Sequence, residues 1–339
     1  MTVPAVPQAA NSAGHPPVFV LGLGLIGGSL IRAAAPFTQV AGWSPSEETR
    51  AAARGDGFDA CDTLAEVVRR AEQEDGLVVL AAPVTAFDSL LGQINELAPG
   101  VKITDVAGVK GVVAEKVQLL CPQARFVGSH PMAGTQHSGW SAGAADLFTG
   151  AAWVTCLDEA SDLDLWSEIA RLALAIGSRV VPAEAAAHDD AVARISQLPH
   201  LLALALAQVA AADGSLALSL AASSFADATR VAATRPELIR AMCEANRGAL
   251  VGALDDALGI LGVARGSLAS TGSLQKITSA GHDARLAYET RSENLTALML
   301  SGDDLIDQLL SVGAAGGCVL GIDGAGEDLR VQVRYPDEA

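Results

Sequence analysis

Hydrophobic positions follow different patterns in the two halves of the chain. Up to about residue 183, short apolar and β-branched runs, such as VFVL at 18–21 and LVVLAAPV at 77–84, alternate with longer helical stretches. Short runs of this kind are typical of buried strands in a parallel sheet. From Glu184 the strand pattern stops, and segments rich in Ala and Leu predict helices as far as Val312. The pattern therefore predicts an α/β domain at 17–183, a helical domain at 184–312 and a short C-terminal hairpin at 313–339.

The first strand leads into a glycine-rich turn. Gly22, Gly24 and Gly27 form the pattern G-x-G-x-x-G, and a helical run follows from Ser29. The first glycine allows a tight turn, the second lets the backbone approach a pyrophosphate, and the third lets helix and strand pack closely. The order strand, turn, helix predicts a Rossmann dinucleotide-binding domain. Its expected cofactor contacts are Gly22, Gly24, Leu25, Ile26 and Gly27.

Further candidate residues lie where the later strands end. Because ligands of open parallel sheets bind beyond the carboxyl ends of the strands, we expect Pro83, Asp105 and Gly108 near the cofactor. His130 follows the strand predicted in ARFVGSHPMAG, just past its C-terminal end. The convergence of these strand ends predicts a site that includes this histidine.

The residue expected to contact the adenosine ribose is not acidic. Ser44 stands about 20 residues after the glycine turn, where an Asp or Glu would bind the ribose 2′-hydroxyl of NAD. Without that carboxylate a 2′-phosphate is not repelled, and Ser44, Ser46 and Arg50 could bind one. NAD is the expected cofactor, and the choice between NAD and NADP stays open.

Composition narrows the class of partner. The net charge of −17 argues against nucleic acid or an anionic membrane. The five cysteines are scattered without a C-x-x-C pair, which indicates reduced thiols in a cytoplasmic protein and no metal site. Residues 1–16 have neither a basic start nor an apolar run, so we expect a disordered tail and not a signal peptide. The most apolar segment, 201–212, is too short to span a bilayer.

The helical half carries polar side chains among apolar ones. On an ideal helix Asp189 and His200 lie on one face, with Gln197 some way round it, and a buried carboxylate and imidazole need partners or a ligand. Pro199 is expected to kink or interrupt this helix. Arg230 stands in an apolar setting, and arginine is well suited to bind a carboxylate through two hydrogen bonds. Helices this rich in Ala and Leu also predict a homodimer.

Five segments carry a resemblance to a known family. In chain order they are GLGLIGGS, TDVAGVK, GSHPMAGTQHSG, HDDAVARISQLPH and FADATRVA. Together they resemble the prephenate and arogenate dehydrogenases of tyrosine biosynthesis, from about Val18 to about Val312. HPMAG followed by Thr and Ser-Gly is the most specific piece. The resemblance implies a Rossmann domain followed by an all-helical dimerisation domain, and NAD(P)-dependent oxidative decarboxylation of a cyclohexadienol.

The resemblance also implies roles for individual residues. The family's catalytic histidine falls on His130, which would take the proton of the ring hydroxyl as hydride leaves. The substrate-binding arginine falls on Arg230, and an orienting aspartate falls on Asp189. A histidine near the substrate falls on His200. The loop positions that border the substrate side chain fall on Thr135 and Gln136.

The sequence departs from the family at two positions. Gly108 stands where the family often has a serine that contacts the histidine and the nicotinamide, so a water or another hydroxyl, such as that of Ser129, would replace it. Gln197 stands where a second helix histidine is often found, and we expect both Ser129 and Gln197 near the substrate. The residues after Val312 are too few for the regulatory ACT domain of some relatives.

Prephenate is the expected substrate, because no acidic residue stands beside Gln136 and His137 to pair with the ammonium group of arogenate. Arogenate is the alternative within the family. A hydroxyacid or imine reductase that works through a lysine is disfavoured, since no lysine occurs between Lys116 and Lys276. A dinucleotide-binding module without catalytic activity is the alternative from another functional class, and the presence of both His130 and Arg230 argues against it.

Overall fold

The computed structural model describes residues 15–135, 137–212, 214–290 and 295–336. The described residues divide into two compact units, one formed by those up to 185 together with those from 295 onward, and the other by those from 186 to 290. Of the predicted tail at 1–16, only His15 and Pro16 lie within the described residues, and the carbonyls of both accept a hydrogen bond from the Thr38 hydroxyl. The division differs from the predicted one, in which the helical domain continued to Val312.

The first unit contains a six-stranded parallel sheet. Its strands are β1 (Val18–Leu21), β2 (Val40–Trp43), β3 (Asp59–Ala60), β4 (Leu77–Leu80), β5 (Lys102–Asp105) and β6 (Arg125–Phe126). The intervening helices are α1 (Leu25–Ala34), α2 (Glu47–Gly55), α3 (Leu64–Gln73), α4 (Phe87–Leu97) and α5 (Gly111–Leu120). The strand order β3-β2-β1-β4-β5-β6 is that of a Rossmann domain. Every side chain of β1 and β4 is buried, as expected for strands covered on both faces.

After β6 the chain leaves this sheet and begins a second one. Strands β7 (Ser129–Pro131), β8 (Ala152–Cys156) and β9 (Arg179–Ala183) follow, with α6 (Leu163–Ala175) before β9. The single strand predicted in ARFVGSHPMAG is therefore two short strands in different sheets. His130 lies in the middle of β7 and not just past a strand end, because Ser129–Pro131 pairs antiparallel with β8.

The second unit is helical. It comprises α7 (Ala185–Val192), a π-helical turn (Ala193–Gln197), α8 (Leu198–Ala212), α9 (Ser215–Ser219), α10 (Ser223–Thr229), a 3₁₀ turn (Arg230–Ala233), α11 (Pro236–Ala245), α12 (Arg247–Ser270) and α13 (Gln275–Thr290). Pro199 neither breaks nor ends the helix, because it sits in the first turn of α8, directly after the π turn. A π turn adds a residue to the helical repeat, so the ideal-helix prediction that Asp189 and His200 share a face does not carry across it.

Residues 185–212 form one continuous helix. The predicted apolar segment at 201–212, too short by itself to span a membrane, is part of this helix of 28 residues, which is long and apolar enough by length and composition. One such helix does not by itself indicate membrane insertion. Many large apolar side chains of this unit are exposed, among them Ile195, Val209, Leu216, Leu220 and Val263.

The C-terminal segment returns to the first unit. Strands β10 (Leu295–Leu300), β11 (Cys318–Asp323) and β12 (Arg330–Pro336) extend the second sheet to the order β10-β12-β11-β9-β8-β7, and α14 (Leu305–Ala314) packs against it. The two strands of the predicted C-terminal hairpin are β11 and β12. They are not a separate hairpin, since β11 also pairs with β9. Gly313 lets α14 pack closely against β9, because a Cβ at this position would lie 1.7 Å from the carbonyl oxygen of Pro182.

Candidate active site

The glycine turn has the geometry expected of a phosphate-binding loop. Gly22 has φ +112°, and a Cβ there would lie 2.6 Å from the backbone of Ala81, so only glycine fits. A Cβ on Gly27 would lie 1.9 Å from the carbonyl oxygen of Gly22, which brings α1 close to β1. Gly24 differs, because nothing lies within 4 Å of a Cβ placed on it. The turn is thus closely packed on one side and open at Gly24, where a pyrophosphate would approach.

The N-terminus of α1 supports this interpretation. Gly24 is its N-cap, and no side chain caps the helix. The first backbone N–H groups of a helix have no intrahelical acceptor and lie at the positive end of its dipole, so they favour an anion. Leu25 and Ile26, both half-buried, form this first turn.

The end of β2 lies directly beside the glycine turn. The N–H of Gly22 donates to the carbonyl of Trp43 over 2.8 Å, and Ser44 follows. The Ser44 side chain is buried, and its hydroxyl accepts a hydrogen bond from the N–H of Ser46 over 3.3 Å. Its carbonyl accepts one from Nη1 of Arg50 over 2.7 Å. Ser44 is therefore where an adenosine ribose is expected, with a guanidinium beside it.

Two other strand ends meet this turn. Pro83 is exposed just after β4, and Ala81 at the end of that strand donates its N–H to Leu21. After β5, Val106 donates its N–H to Leu80 and the chain continues to Gly108. A Cβ on Gly108 would lie 3.7 Å from both Cε1 and Nε2 of His130. The half-buried imidazole thus presents its Nε2 edge to the backbone at the end of β5.

Asp105 and Ser129 face the protein interior and not the site. Both are fully buried. The Asp105 carboxylate accepts hydrogen bonds from the N–H groups of Ala107 at 2.9 Å and Ser129 at 3.2 Å, and the Ser129 hydroxyl donates to the carbonyl of Asp105 at 2.6 Å. The Asp105 carboxylate is therefore used inside the protein, and the prediction that Asp105 lies near the cofactor now concerns its backbone at the end of β5. Ser129 likewise cannot supply the hydroxyl missing at Gly108 or contact a substrate, because neighbouring residues of a strand point to opposite faces.

Lys110 is a buried cation that is not among the residues predicted from the sequence. Its ammonium pairs with the Asp105 carboxylate and donates to the carbonyl of Ser129 over 2.6 Å. Burial raises the pKa of Asp105, and the Lys110 charge and the N–H donors act in the opposite direction. The signal was present, since a lysine in the apolar stretch TDVAGVKGVV has to find a partner when the stretch is buried. The pair joins the segment leading to Gly108 to the strand that carries His130.

The loop after β7 is fixed at its far end by Trp140. The Arg32 guanidinium lies 3.7 Å from the centre of the Trp140 ring, and the indole N–H donates to Asp56 over 2.8 Å. Arg32 also pairs with Asp56 and donates to the carbonyl of Gly28 in α1. This tryptophan directly follows the segment GSHPMAGTQHSG and is not among the residues predicted from the sequence. It ties the end of GSHPMAGTQHSGW to the helix that follows the glycine turn.

Within this loop Thr135 and His137 are exposed, and the N–H of His137 donates to the Thr135 hydroxyl over 3.2 Å. Gln136, predicted to border the substrate, lies outside the described residues.

The polar residues of the second unit do not all face outward. Gln197 is fully buried, its carbonyl accepts a hydrogen bond from the Asn246 amide over 2.9 Å, and its own amide donates to the carbonyl of Met242 over 3.1 Å. Both ends of the side chain are used inside the unit, so its predicted contact with substrate is wrong. Asn246 also donates to the carbonyl of Asp189. The Asp189 carboxylate lies 2.8 Å from Nδ1 of the buried His188.

His200 and Arg230 are more accessible. Nδ1 of His200 lies 2.7 Å from the carbonyl oxygen of Ser196. Since a carbonyl only accepts, Nδ1 carries the proton, which leaves Nε2 as an acceptor in the neutral ring. Arg230 is exposed at the start of its 3₁₀ turn and forms no ion pair with a carboxylate of the described residues. An arginine in that state can bind an anionic ligand. Among the described residues no group of three His, Cys, Asp or Glu could hold a metal ion.

The fold and the residues around the glycine turn define a class of protein. A parallel sheet in Rossmann order with an open glycine turn, followed by a helical unit, is the architecture of nucleotide-dependent dehydrogenases with a second, helical domain.

Comparison with known proteins gives the family. The model of the prephenate dehydrogenase nucleotide-binding domain matches residues 27–182, and that of the prephenate dehydrogenase dimerization domain matches 184–262. The chain is 32% identical to a cyclohexadienyl dehydrogenase of Zymomonas mobilis, over 80% of this chain and 96% of that protein. It is 33% identical to a prephenate dehydrogenase of Lactococcus lactis, over 63% of this chain and 60% of that protein.

A solved structure supports the same assignment. A Corynebacterium glutamicum protein proposed to be a prephenate dehydrogenase is 42% identical, with a TM-score of 0.83 over 89% of this chain and 97% of that one. The chain belongs to the prephenate dehydrogenase family, and it is an NAD-dependent dehydrogenase.

Proposed function

We propose that this protein converts prephenate and NAD⁺ into 4-hydroxyphenylpyruvate, CO₂ and NADH, a step of tyrosine biosynthesis. The ring carbinol loses its hydroxyl proton and a hydride, and the bond to the ring carboxylate then breaks. The electrons of that bond enter the ring, which becomes aromatic, and the ring oxygen takes the proton back. Atoms and charge balance without a further reactant.

One observation carries the proposal: the Nε2 edge of His130 lies beside Gly108, at the carboxyl end of β5 and near the glycine turn. An imidazole there is suited to take the hydroxyl proton while hydride leaves and to return it to the oxygen after CO₂ departs. A positioned general base contributes about 10²–10⁴-fold to rate. Ser129 is turned inward, so of these two neighbouring residues of β7 only His130 faces the side on which the ligand would bind.

NAD, when bound, supplies the hydride acceptor. The residues proposed to hold it are Gly22, Gly24, Leu25, Ile26 and Gly27 of the turn, together with Ser44, Pro83 and Gly108 at the strand ends. The open face at Gly24 and the uncapped start of α1 favour a pyrophosphate, as argued above. Gly108 carries no side chain beside His130, and we propose that the nicotinamide binds at this point.

For the substrate we propose that Arg230 binds a carboxylate. Its exposure and its lack of an ion pair with any described carboxylate support this role. Asp189 and His200 are proposed as further residues of the substrate side, and Thr135 and Gln136 as loop residues that border the substrate side chain.

Prephenate is preferred to arogenate because the loop 128–140 contains no Asp or Glu that could pair with an ammonium group. The test is kcat/KM for each compound with NAD⁺. A higher value for prephenate supports the proposal, and a higher value for arogenate would make the protein an arogenate dehydrogenase. Absence of nicotinamide reduction with either compound would refute the function itself.

We propose that the protein is a homodimer in the cytoplasm. Exposed apolar side chains such as Leu216, Leu220 and Val263 of the helical unit would be covered by a second copy, which also gives the apolar helix 185–212 a protein partner. No disulfide joins any of the five cysteines, which is compatible with a reducing compartment. Sedimentation equilibrium tests the dimer, and a monomer at micromolar concentration would contradict it.

A further inference from the structure

Arg50 is a cation beside the predicted adenosine end of the nucleotide site, and no carboxylate of the described residues pairs with it. Its Nη1 donates to the Ser44 carbonyl over 2.7 Å. Its Nε is inaccessible to solvent and has no hydrogen-bond partner. Arg54, one turn further along α2, differs, because it pairs with Asp62. In a chain of net charge −17, a guanidinium left without a carboxylate calls for an anionic partner.

The position of Arg50 suggests what that anion is. Arg50 is bonded to the backbone of Ser44, which directly follows β2. The last carbonyl of β2 accepts a hydrogen bond from the N–H of Gly22 in the glycine turn. In Rossmann domains an Asp or Glu at this strand end binds the 2′-hydroxyl of the adenosine ribose, whereas a nearby Arg accommodates a 2′-phosphate. Here Ser44 provides a neutral hydroxyl after the strand end and Arg50 lies beside it, so no carboxylate at this position would repel a 2′-phosphate.

The neighbouring helix end contributes in the same direction. Ser46 is the N-cap of α2, and its hydroxyl accepts the N–H of Thr49 over 3.1 Å. The dipole of α2 therefore starts beside Ser44 and favours negative charge there. Glu47 and Glu48 in the first turn are exposed, and neither pairs with Arg50.

We infer that the nucleotide site accepts a 2′-phosphate, bound by the Arg50 guanidinium and the Ser44 hydroxyl, and that the protein uses NADP as well as NAD. The inference rests on the proposed function only in that the glycine turn binds a dinucleotide. It adds the chemical group that the ribose end of the site recognises, a phosphate monoester on the 2′-oxygen.

Equilibrium binding in the absence of substrate tests the inference on the full chain. NAD⁺ and NADP⁺ differ only in the 2′-phosphate, so the ratio of their dissociation constants by titration calorimetry reports on that group. We expect NADP⁺ to bind at least as tightly as NAD⁺. Arg50→Ala should weaken NADP⁺ by about 10–100-fold, the range for a lost charge-assisted contact, and NAD⁺ by less than about twofold.

Two further variants make the test specific. Arg54→Ala removes an arginine from the same helix and should change neither affinity. Ser44→Asp restores the acidic residue and should weaken NADP⁺ by more than about tenfold while NAD⁺ still binds. NADP⁺ binding much weaker than NAD⁺ in the unaltered protein, or equal effects of Arg50→Ala on both nucleotides, would overturn the inference. Because no substrate is present, failure of prephenate turnover would leave these results unchanged, and binding of neither nucleotide would refute the dinucleotide site and the inference together.

Discussion

The Lys110 ammonium and the Asp105 carboxylate form a buried ion pair directly behind the strand that carries His130. Through Asp105 the pair is bonded to the N–H groups of Ala107 and Ser129, and through Lys110 to the carbonyl of Ser129. The two segments that bring Gly108 and His130 side by side are thus held by the same pair. This relationship explains how the segment after β5 and the three-residue strand β7 keep a fixed spacing.

Lys110→Met should be strongly destabilising. Removing one partner of a buried pair leaves an uncompensated charge, which costs about 3–5 kcal/mol of unfolding free energy. The measurement is urea denaturation, with Lys116→Met as the control, since Lys116 is in a more accessible pair with Asp88 and should cost about 1 kcal/mol or less. The double variant Asp105→Asn with Lys110→Met should recover part of the loss, because no unpaired charge remains. Equal costs for the two lysine variants would show that the buried pair has no special importance.

Gly108→Ser should fold normally and keep or modestly increase turnover. The added Cβ lies at an ordinary contact distance of 3.7 Å from Nε2 of His130, and the hydroxyl can then reach the imidazole. Gly108→Ala is the matched control, because it fills the same space without the hydroxyl. Any gain in kcat should be seen with serine alone. A loss of more than about tenfold in both variants would mean that the open space itself is needed by the cofactor or substrate.

Arg230→Ala should mainly weaken substrate binding. Loss of a charge-assisted contact to a carboxylate corresponds to about a 10–100-fold increase in KM for prephenate, with a smaller change in kcat. Arg240→Ala is the control, because Arg240 is exposed and already paired with Glu244. Steady-state kinetics of both variants measures KM and kcat separately. An unchanged KM in Arg230→Ala would assign the carboxylate to another residue.

Trp140→Leu should loosen the loop that follows β7. It removes the ring beneath the Arg32 guanidinium and the donor to Asp56, and truncating a buried aromatic side chain costs about 3 kcal/mol or more. Trp140→Phe keeps a ring but not the N–H, so it should cost about 1 kcal/mol. Thermal or urea unfolding measures both. If the two variants are equally stable, the packing of the ring on Arg32 does not fix the loop.

The parts of the fold predicted from sequence are those with strong local signals. The glycine turn, the alternation of strands and helices and the helical second half each follow from short-range pattern, and the strand order agrees with the Rossmann expectation. The second sheet could not be predicted, because pairing of β7 with β8 and of β11 with β9 is set by contacts between distant segments. The helical pattern also concealed that α14 and the strands around it return to the first unit.

The candidate site divides in the same way. Residue types indicated His130 and Arg230, but type alone could not tell which polar side chains point inward. Asp105, Ser129 and Gln197 are all buried and bonded inside the protein, and their burial depends on strand register and on the π turn before Pro199. The predicted face shared by Asp189 and His200 assumed an ideal helix, and the π turn between them changes the direction of every later side chain.

His130 is proposed to take the hydroxyl proton, and kcat of His130→Asn with prephenate and NAD⁺ tests this role most directly. Turnover is measured from nicotinamide absorbance together with CO₂ release. Asparagine keeps the approximate size and hydrogen bonding of the histidine without its basicity. We predict a fall of about 10²–10⁴-fold in kcat, with the dissociation constant for NAD⁺ unchanged within about twofold. Turnover within tenfold of the unaltered protein would contradict the account.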